Sequence, residues 1–253
     1  MSSPWSTVGA VAVNGVRLGY REAGPAGAPA VLLLHGTGSH AGTWDRFAAR
    51  LLPAGFRVIA ADLRGHASSA RPGDYALAAL RDDVLGLLEE FALRDTVVVG
   101  HSVGAHAALA AALEAPSLIS RLVLEDLAAP PVLGGLAVLG APPVLGGLAG
   151  PLAVAARLFA GRDLGVKAAI FQQLARPDPA WWERLAEVRQ PALVLSGGRT
   201  SCIPPRRLAA VTARMPDARL ATIPVGHRVH SLAPDRFHAE VAAFLAIGAP
   251  VPA

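Results

Sequence analysis

The chain has 253 residues, of which 53% are hydrophobic and 17% charged, with a formal net charge of +4. Length and apolar content suit one large α/β domain with a modest insertion and exclude a disordered chain. Lys167 is the only lysine, and the arginines stand singly among acids, as at Arg71, Arg81, Asp82 and Asp83, so the positive balance forms no basic run for a nucleic acid.

Residues 1–9 carry neither the basic nor the apolar segment of a secretory signal. Residues 8–13 and 16–21 read as strands around Asn14-Gly15, a tight-turn dipeptide. The apolar run 30–34 reads as a strand ending at His35-Gly36, and 43–52 as a helix. Residues 57–61 form a short strand ending at Asp62, and 76–91 an amphipathic helix. The β-branched run 96–99 predicts a buried strand, 106–113 an Ala-rich helix and 122–124 another buried strand.

The alternation breaks between residues 127 and 190. It resumes with strand 192–195, helix 206–214, strand 219–223 and helix 235–245. Buried strands alternating with helices predict an α/β fold with a mostly parallel sheet covered on both faces. Residues 1–126 and 191–253 are then the core, and 127–190 a cap above the carboxyl edge of the strands, where such sheets place their chemistry.

Residues 127–156 contain no charge and are long enough to cross a bilayer. Pro130, Pro131, Pro142, Pro143 and Pro151 would break a spanning helix repeatedly, so an apolar lid is expected rather than stable membrane insertion. Within it APPVLGGLA at 129–137 recurs at 141–149, the mark of a local duplication in a tolerant loop. Trp181 and Trp182 lie later in the cap, where core packing is the commoner fate of a large aromatic.

The sharpest motif is Gly100-His101-Ser102-Val103-Gly104 between a predicted strand and a predicted helix, the context a nucleophile elbow requires. The small glycines keep side chains out of the bend, and the helix N-terminus behind Ser102 favours developing negative charge. A serine hydroxyl needs a base. His227 follows Gly226 in a loop between the last strand and the last helix, at the same sheet edge. His35 reads as structural. His101, Gly36 and His230 are further candidates for the substrate pocket. Cys202, the single cysteine, excludes an intrachain disulfide, suits a cytoplasmic protein and reads as a small buried hydrophobe. The histidines show no metal-binding spacing and no phosphate-binding loop is present, so no cofactor is expected.

On these residues the chain resembles the α/β-hydrolase superfamily, in its capped esterase, lipase and thioesterase-like branch. His35-Gly36-Thr37-Gly38 looks like the family's oxyanion loop, and Asp62 to Ser68 like the loop after its next strand. Ser102 matches the nucleophile and Gly226-His227 the base, in the family's order, across nearly the whole chain. The resemblance implies an oxyanion hole made by the backbone N–H groups of Thr37 and Val103. The elbow's geometry independently points to Val103.

The chain departs from the family's commonest pattern at the third residue. The loop 197–204, where the family usually carries an Asp, holds no carboxylate, and Ser201 stands about where the acid would be. Some members place the acid one strand earlier. Here that strand ends at Glu125-Asp126, and alignment on the strand end favours Asp126, with Glu125 the alternative. The expected activity is carboxylesterase-like cleavage of an ester or thioester of an apolar small molecule. The same site chemistry also serves carbon–carbon hydrolysis, lactone chemistry and acyl transfer, and a binder that has lost turnover remains the third reading.

Overall fold

The computed structural model describes residues 3–132 and 164–246. Most of the charge-free stretch and nearly all of the tandem repeat lie outside the described residues.

Strands β1 (Thr7–Val13) and β2 (Val16–Ala23) form the predicted hairpin. Asn14 and Gly15 both take positive φ, 51° and 74°, as a tight turn matched to strand twist demands. Six further strands follow: β3 (Ala30–Leu34), β4 (Arg57–Ala61), β5 (Thr96–His101), β6 (Ile119–Glu125), β7 (Ala192–Ser196) and β8 (Ala218–Thr222). They form one sheet in the order β1-β2-β4-β3-β5-β6-β7-β8, antiparallel at its first pairings and parallel from β4 onward.

Both faces of that sheet are covered. Alternate residues of a strand point to opposite sides, and the core divides accordingly. Leu32 and Leu34 of β3 join one cluster with Val98 of β5 and Leu122 of β6. Val31 and Leu33 join the other with Val97, Val99 and Val123. This explains why these strands read as unbroken apolar runs.

On the first face lie α2 (Leu77–Glu90), α3 (Val103–Glu114) and, beside β7, α6 (Pro205–Thr212). Helix α2 buries Leu80, Val84, Leu87 and Leu88, one helical stripe. Helix α3 buries nearly every residue because its alanines let it press onto the sheet. On the other face are α1 (Asp45–Leu51), the short α7 (Val229–Leu232) and α8 (Pro234–Leu245). Trp44, Phe47 and Phe237 interlock there.

Between β6 and β7 the described residues include α4 (Leu164–Leu174) and α5 (Pro179–Arg184). Trp181 stacks on His106 with centroids 5.7 Å apart, and Trp182 donates its indole N–H to the Pro130 carbonyl at 3.1 Å. Both tryptophans are therefore packing residues. Among the described residues no helix is long and apolar enough to cross a membrane.

The strand predictions hold within a few residues. β6 begins at Ile119 and not at residue 122, and α3 begins at Val103 and not at residue 106. The Ser102–Val103–Gly104 turn leads directly into the helix, and the glycine that weakens helix propensity is tolerated because it is fully packed.

Candidate active site

The sheet's carboxyl edge collects the residues singled out above. Ser102 sits between β5 and α3 with φ 53° and ψ −114°, a conformation that a non-glycine residue adopts only at some cost. The surrounding hydrogen bonds over-determine it. Its N–H donates to the Glu125 carbonyl at 2.8 Å, and its carbonyl accepts the N–H groups of His106 at 3.1 Å and Ala128 at 3.2 Å. A Cβ on Gly100 would stand 2.5 Å from Ala105 Cα, and one on Gly104 would stand 2.5 Å from the Leu34 carbonyl oxygen. Both positions therefore require glycine. Val103 is the first residue of α3, so its N–H belongs to the helix turn that lacks internal partners.

Asp126 follows β6, fully buried, with φ 43°. Its Oδ1 accepts the Gly197 N–H at 2.7 Å. Its Oδ2 accepts the Ser201 hydroxyl and lies 3.1 Å from His227 Nδ1. The loop after β7, which carries no acid, thus supplies two hydrogen-bond donors to the acid of the neighbouring strand. Ser201 stands where an acid is usually found and holds one in place.

Glu125 points elsewhere. Its Oε2 is 2.6 Å from His230 Nδ1, and its Oε1 accepts the His230 backbone N–H at 3.0 Å. His230 Nε2 lies 2.8 Å from Thr43 Oγ1, and the ring packs on Trp44 at 4.2 Å between centroids. His230, expected in the pocket, is instead buried. The reason is that a carboxylate inside the core must be paired, and His230 is its partner.

His227 has its pKa raised to about 10. Burial pushes it down, but the hydrogen bonds with the Asp126 and Cys202 side chains outweigh that. The main-chain carbonyl of His227 accepts the Nε2–H of His101 at 2.8 Å. Burial, reinforced by His227 and His230, pushes the His101 pKa well below the ordinary value, so the ring is neutral. Ser102 and His227 line one cavity, and among the described residues no hydrogen bond joins their side chains. Such contacts commonly tighten only once substrate is bound.

Thr37 lines the same cavity. Gly36, expected to touch substrate, packs against Ser102, where a Cβ would come within 2.5 Å of His101 Nδ1 and 3.2 Å of Ser102 Cβ. Its contribution is the missing side chain.

His35 is structural, as expected. Its Nδ1 donates to the Gly36 carbonyl at 2.8 Å and its Nε2 accepts the Leu63 N–H at 3.0 Å. Burial first, then His66, lowers its pKa to about 3. Asp62 accepts the Ala41 N–H at 2.6 Å and the Ser68 hydroxyl at 2.6 Å, and Arg64 grips Asp83 through two contacts of 2.6 Å. The 62–68 loop is scaffolding for the 35–38 loop beside it.

Most of the cavity wall is apolar, from Ala128, Ala129, Phe171, Leu174 and Ile203, with Arg207 also in the lining. Phe171 and Leu174 come from α4. Cys202, half-buried, packs against the first core cluster and also lines the cavity. Sequence reasoning missed the α4 residues because no local pattern aims a cap helix. The nearness of Cys202 to His227 was signalled only by its place beside Ser201. Among the described residues no cluster of three or more His, Cys, Asp or Glu side chains offers a metal site.

The family model of the alpha/beta hydrolase fold matches residues 29–190. The chain is 40% identical over 113 residues to an uncharacterized protein of Mycobacterium tuberculosis, a stretch covering 44% of this chain and 32% of that one, so the match spans about a third of the relative's length. It is 27% identical over 254 residues to the sn-1-specific diacylglycerol lipase of Mus musculus, covering 88% of this chain and 83% of the lipase. Among solved structures, the enol-lactonase of Burkholderia xenovorans LB400 superposes with TM-score 0.76 at 25% identity, covering 94% of this chain and all of that one. The chain belongs to the α/β-hydrolase fold family.

Proposed function

We propose that this member of the α/β-hydrolase fold family is a serine hydrolase that cleaves a carboxylic ester or thioester of an apolar small molecule through an acyl-enzyme on Ser102. One observation carries the reading: an elbow serine with strained backbone shares a cavity with a histidine whose ring is held by a buried carboxylate.

In this reading Ser102 Oγ attacks the acyl carbon while His227 Nε2 takes its proton. Asp126, paired with Nδ1, holds the imidazole in the required tautomer and stabilises the imidazolium that forms. The oxyanion lies against the N–H groups of Thr37 and Val103, each such donor contributing about 3 kcal/mol in the transition state. The imidazolium then gives its proton to the leaving alcohol or thiol. Water repeats the cycle on the acyl-enzyme: His227 removes its proton, hydroxyl adds to the acyl carbon, and the Ser102 oxygen leaves protonated as the acid is released.

The segment 127–190 is read as a cap, since α4 gives Phe171 and Leu174 to the cavity wall. That apolar wall supports an apolar acyl group. The Ser201–Asp126–His227 contacts support this reading over a binder that has lost turnover. The likeness to a diacylglycerol lipase of mouse and to an enol-lactonase is in keeping with this chemistry.

The experiment is labelling with a fluorophosphonate probe, followed by turnover of p-nitrophenyl esters of increasing acyl length. The expected result is label on Ser102, absent from Ser102→Ala, with hydrolysis favouring medium or longer chains. An unlabelled wild-type protein that hydrolyses none of the esters would overturn the reading.

A further inference from the structure

His101 is the last residue of β5 and directly precedes Ser102. Its ring is buried and meets three parts of the site. Nε2 lies 2.8 Å from the main-chain carbonyl of His227, and a carbonyl oxygen can only accept, so the ring proton sits on Nε2. The ring centroid is 4.6 Å from that of His227 and 5.2 Å from that of His230. Its other edge fills the space left by Gly36, where a Cβ would stand 2.5 Å from Nδ1 and 2.8 Å from Cε1. Both nitrogens thus face the protein, and His101, expected to touch substrate, presents it no polar atom.

A residue serving only to fill this space would be apolar. With the ring neutral and Nε2 protonated, Nδ1 is a bare acceptor, and among the described residues it has no hydrogen-bond partner. A buried acceptor left unpaired opposes folding. What the imidazole supplies and an apolar ring cannot is the Nε2–H bond to His227. The other anchors of the base segment act on the residues around His227. The Gly226 N–H donates to the Gly197 carbonyl, beyond β7, at 2.9 Å, and the His230 N–H donates to Glu125, at the end of β6, at 3.0 Å. His101 alone of these three anchors belongs to β5, the strand that delivers Ser102.

We propose that His101 is a positioning residue, whose Nε2–H bond to the His227 carbonyl fixes the separation between the base and Ser102. This rests on the hydrolase reading above. The path between the two reacting groups is short: from Ser102 through one peptide bond and the His101 ring to the main chain of His227. Among the described residues no hydrogen bond joins the Ser102 and His227 side chains, so their approach depends on how the two backbones are held. A misplacement of about 1 Å between reacting groups costs about a hundredfold in rate. The His101 ring itself transfers no proton, and its role is confined to holding the base.

The test sets packing against hydrogen bonding. His101→Phe fills the ring's volume without a donor, whereas His101→Gln carries an amide N–H that can reach the same carbonyl. In p-nitrophenyl ester kinetics His101→Phe lowers kcat about a hundredfold and moves KM by less than about twofold, and His101→Gln recovers about tenfold of the loss. The urea midpoint of His101→Phe stays near that of the wild type, because the unpaired Nδ1 disappears as the carbonyl loses its donor. Wild-type kcat in His101→Phe, or a Gln variant no faster than the Phe variant, overturns the proposal. NMR of the wild-type protein carrying 15N-histidine gives a readout that needs neither variant nor turnover: His101 shows a protonated Nε2 and a bare Nδ1, and the reverse tautomer overturns the proposal as well. A wild type that takes no fluorophosphonate and cleaves no ester is a failure of the hydrolase reading. A labelled, active wild type beside an equally active His101→Phe is a failure of the positioning role alone.

Discussion

Glu125 Oε2 lies 2.6 Å from Nδ1 of His230, while the next residue of the chain, Asp126, faces His227 three residues earlier. Two adjacent carboxylates thus hold one segment by two histidines. Glu125 also accepts the His230 backbone N–H, so it fixes where that segment begins its helix. Asp126 can then act on a ring whose backbone is already placed.

This division of labour predicts opposite phenotypes. Asp126→Asn keeps the fold and lowers kcat by about a thousandfold to ten-thousandfold, because the tautomer and the imidazolium lose their support. Glu125→Gln loses about 1–3 kcal/mol of stability, because a buried charged contact is weakened, and changes turnover far less. Ester kinetics and urea melts on both variants check this. A Glu125→Gln protein with lower kcat than Asp126→Asn would assign the acid to Glu125.

The pH profile follows from His227. Its pKa is raised to about 10, and it accepts a proton only when neutral. Ester kcat/KM therefore climbs into the alkaline range, half-maximal near the titration of this ring. Asp126 is the larger of the two side-chain hydrogen bonds that raise the pKa, and Cys202 is the second. Cys202→Ala shifts the alkaline limb to lower pH, measurable in steady-state profiles with a neutral substrate.

Stability responds to pH with both signs. A raised folded pKa stabilises below the unfolded value of 6.5, and that contribution fades as pH rises towards about 10, as for His227. His35 and His106 have pKa values lowered to about 3 and about 4, mainly by burial. Their contribution is present above 6.5 and is lost as pH falls through the folded values, because the unfolded chain takes up protons first. Urea midpoints therefore drop between about pH 6.5 and about pH 4. His106→Gln, which can still donate to the Ala128 carbonyl, flattens that slope.

The sheet was legible in the sequence because β3 to β7 each carry a buried apolar run, which in β6 is confined to Leu122–Leu124. The elbow was legible because Gly100 and Gly104 are demanded by backbone contacts a few residues away in the chain or on the adjacent strand. The position of Asp126 beside His227 could be inferred from strand ends, which set depth along the sheet. The direction of each side chain could not. Glu125 is the last residue of β6 and Asp126 the first beyond it, where a φ of 43° turns the chain, and only the fold says that His230 awaits on Glu125's side. The cap was illegible for another reason. Phe171 and Leu174 reach the cavity through the angle at which α4 crosses the sheet edge, and that angle follows from tertiary packing.

Ser102 itself sets stability against chemistry. Its φ of 53° is one that glycine adopts freely and serine does not, and a strained residue of this kind costs about 1–3 kcal/mol. Among the described residues its hydroxyl makes no hydrogen bond that a substitution would forfeit. Glycine also adds entropy to the unfolded chain, about 0.5–1 kcal/mol against it. The strain is the larger quantity, so Ser102→Gly raises the urea midpoint while abolishing turnover and fluorophosphonate labelling. Ser102→Ala, which keeps a Cβ and hence the strain, abolishes turnover with little change in stability. A calorimetric comparison of the two variants isolates the backbone cost, and equal melting temperatures would show that the elbow stores none.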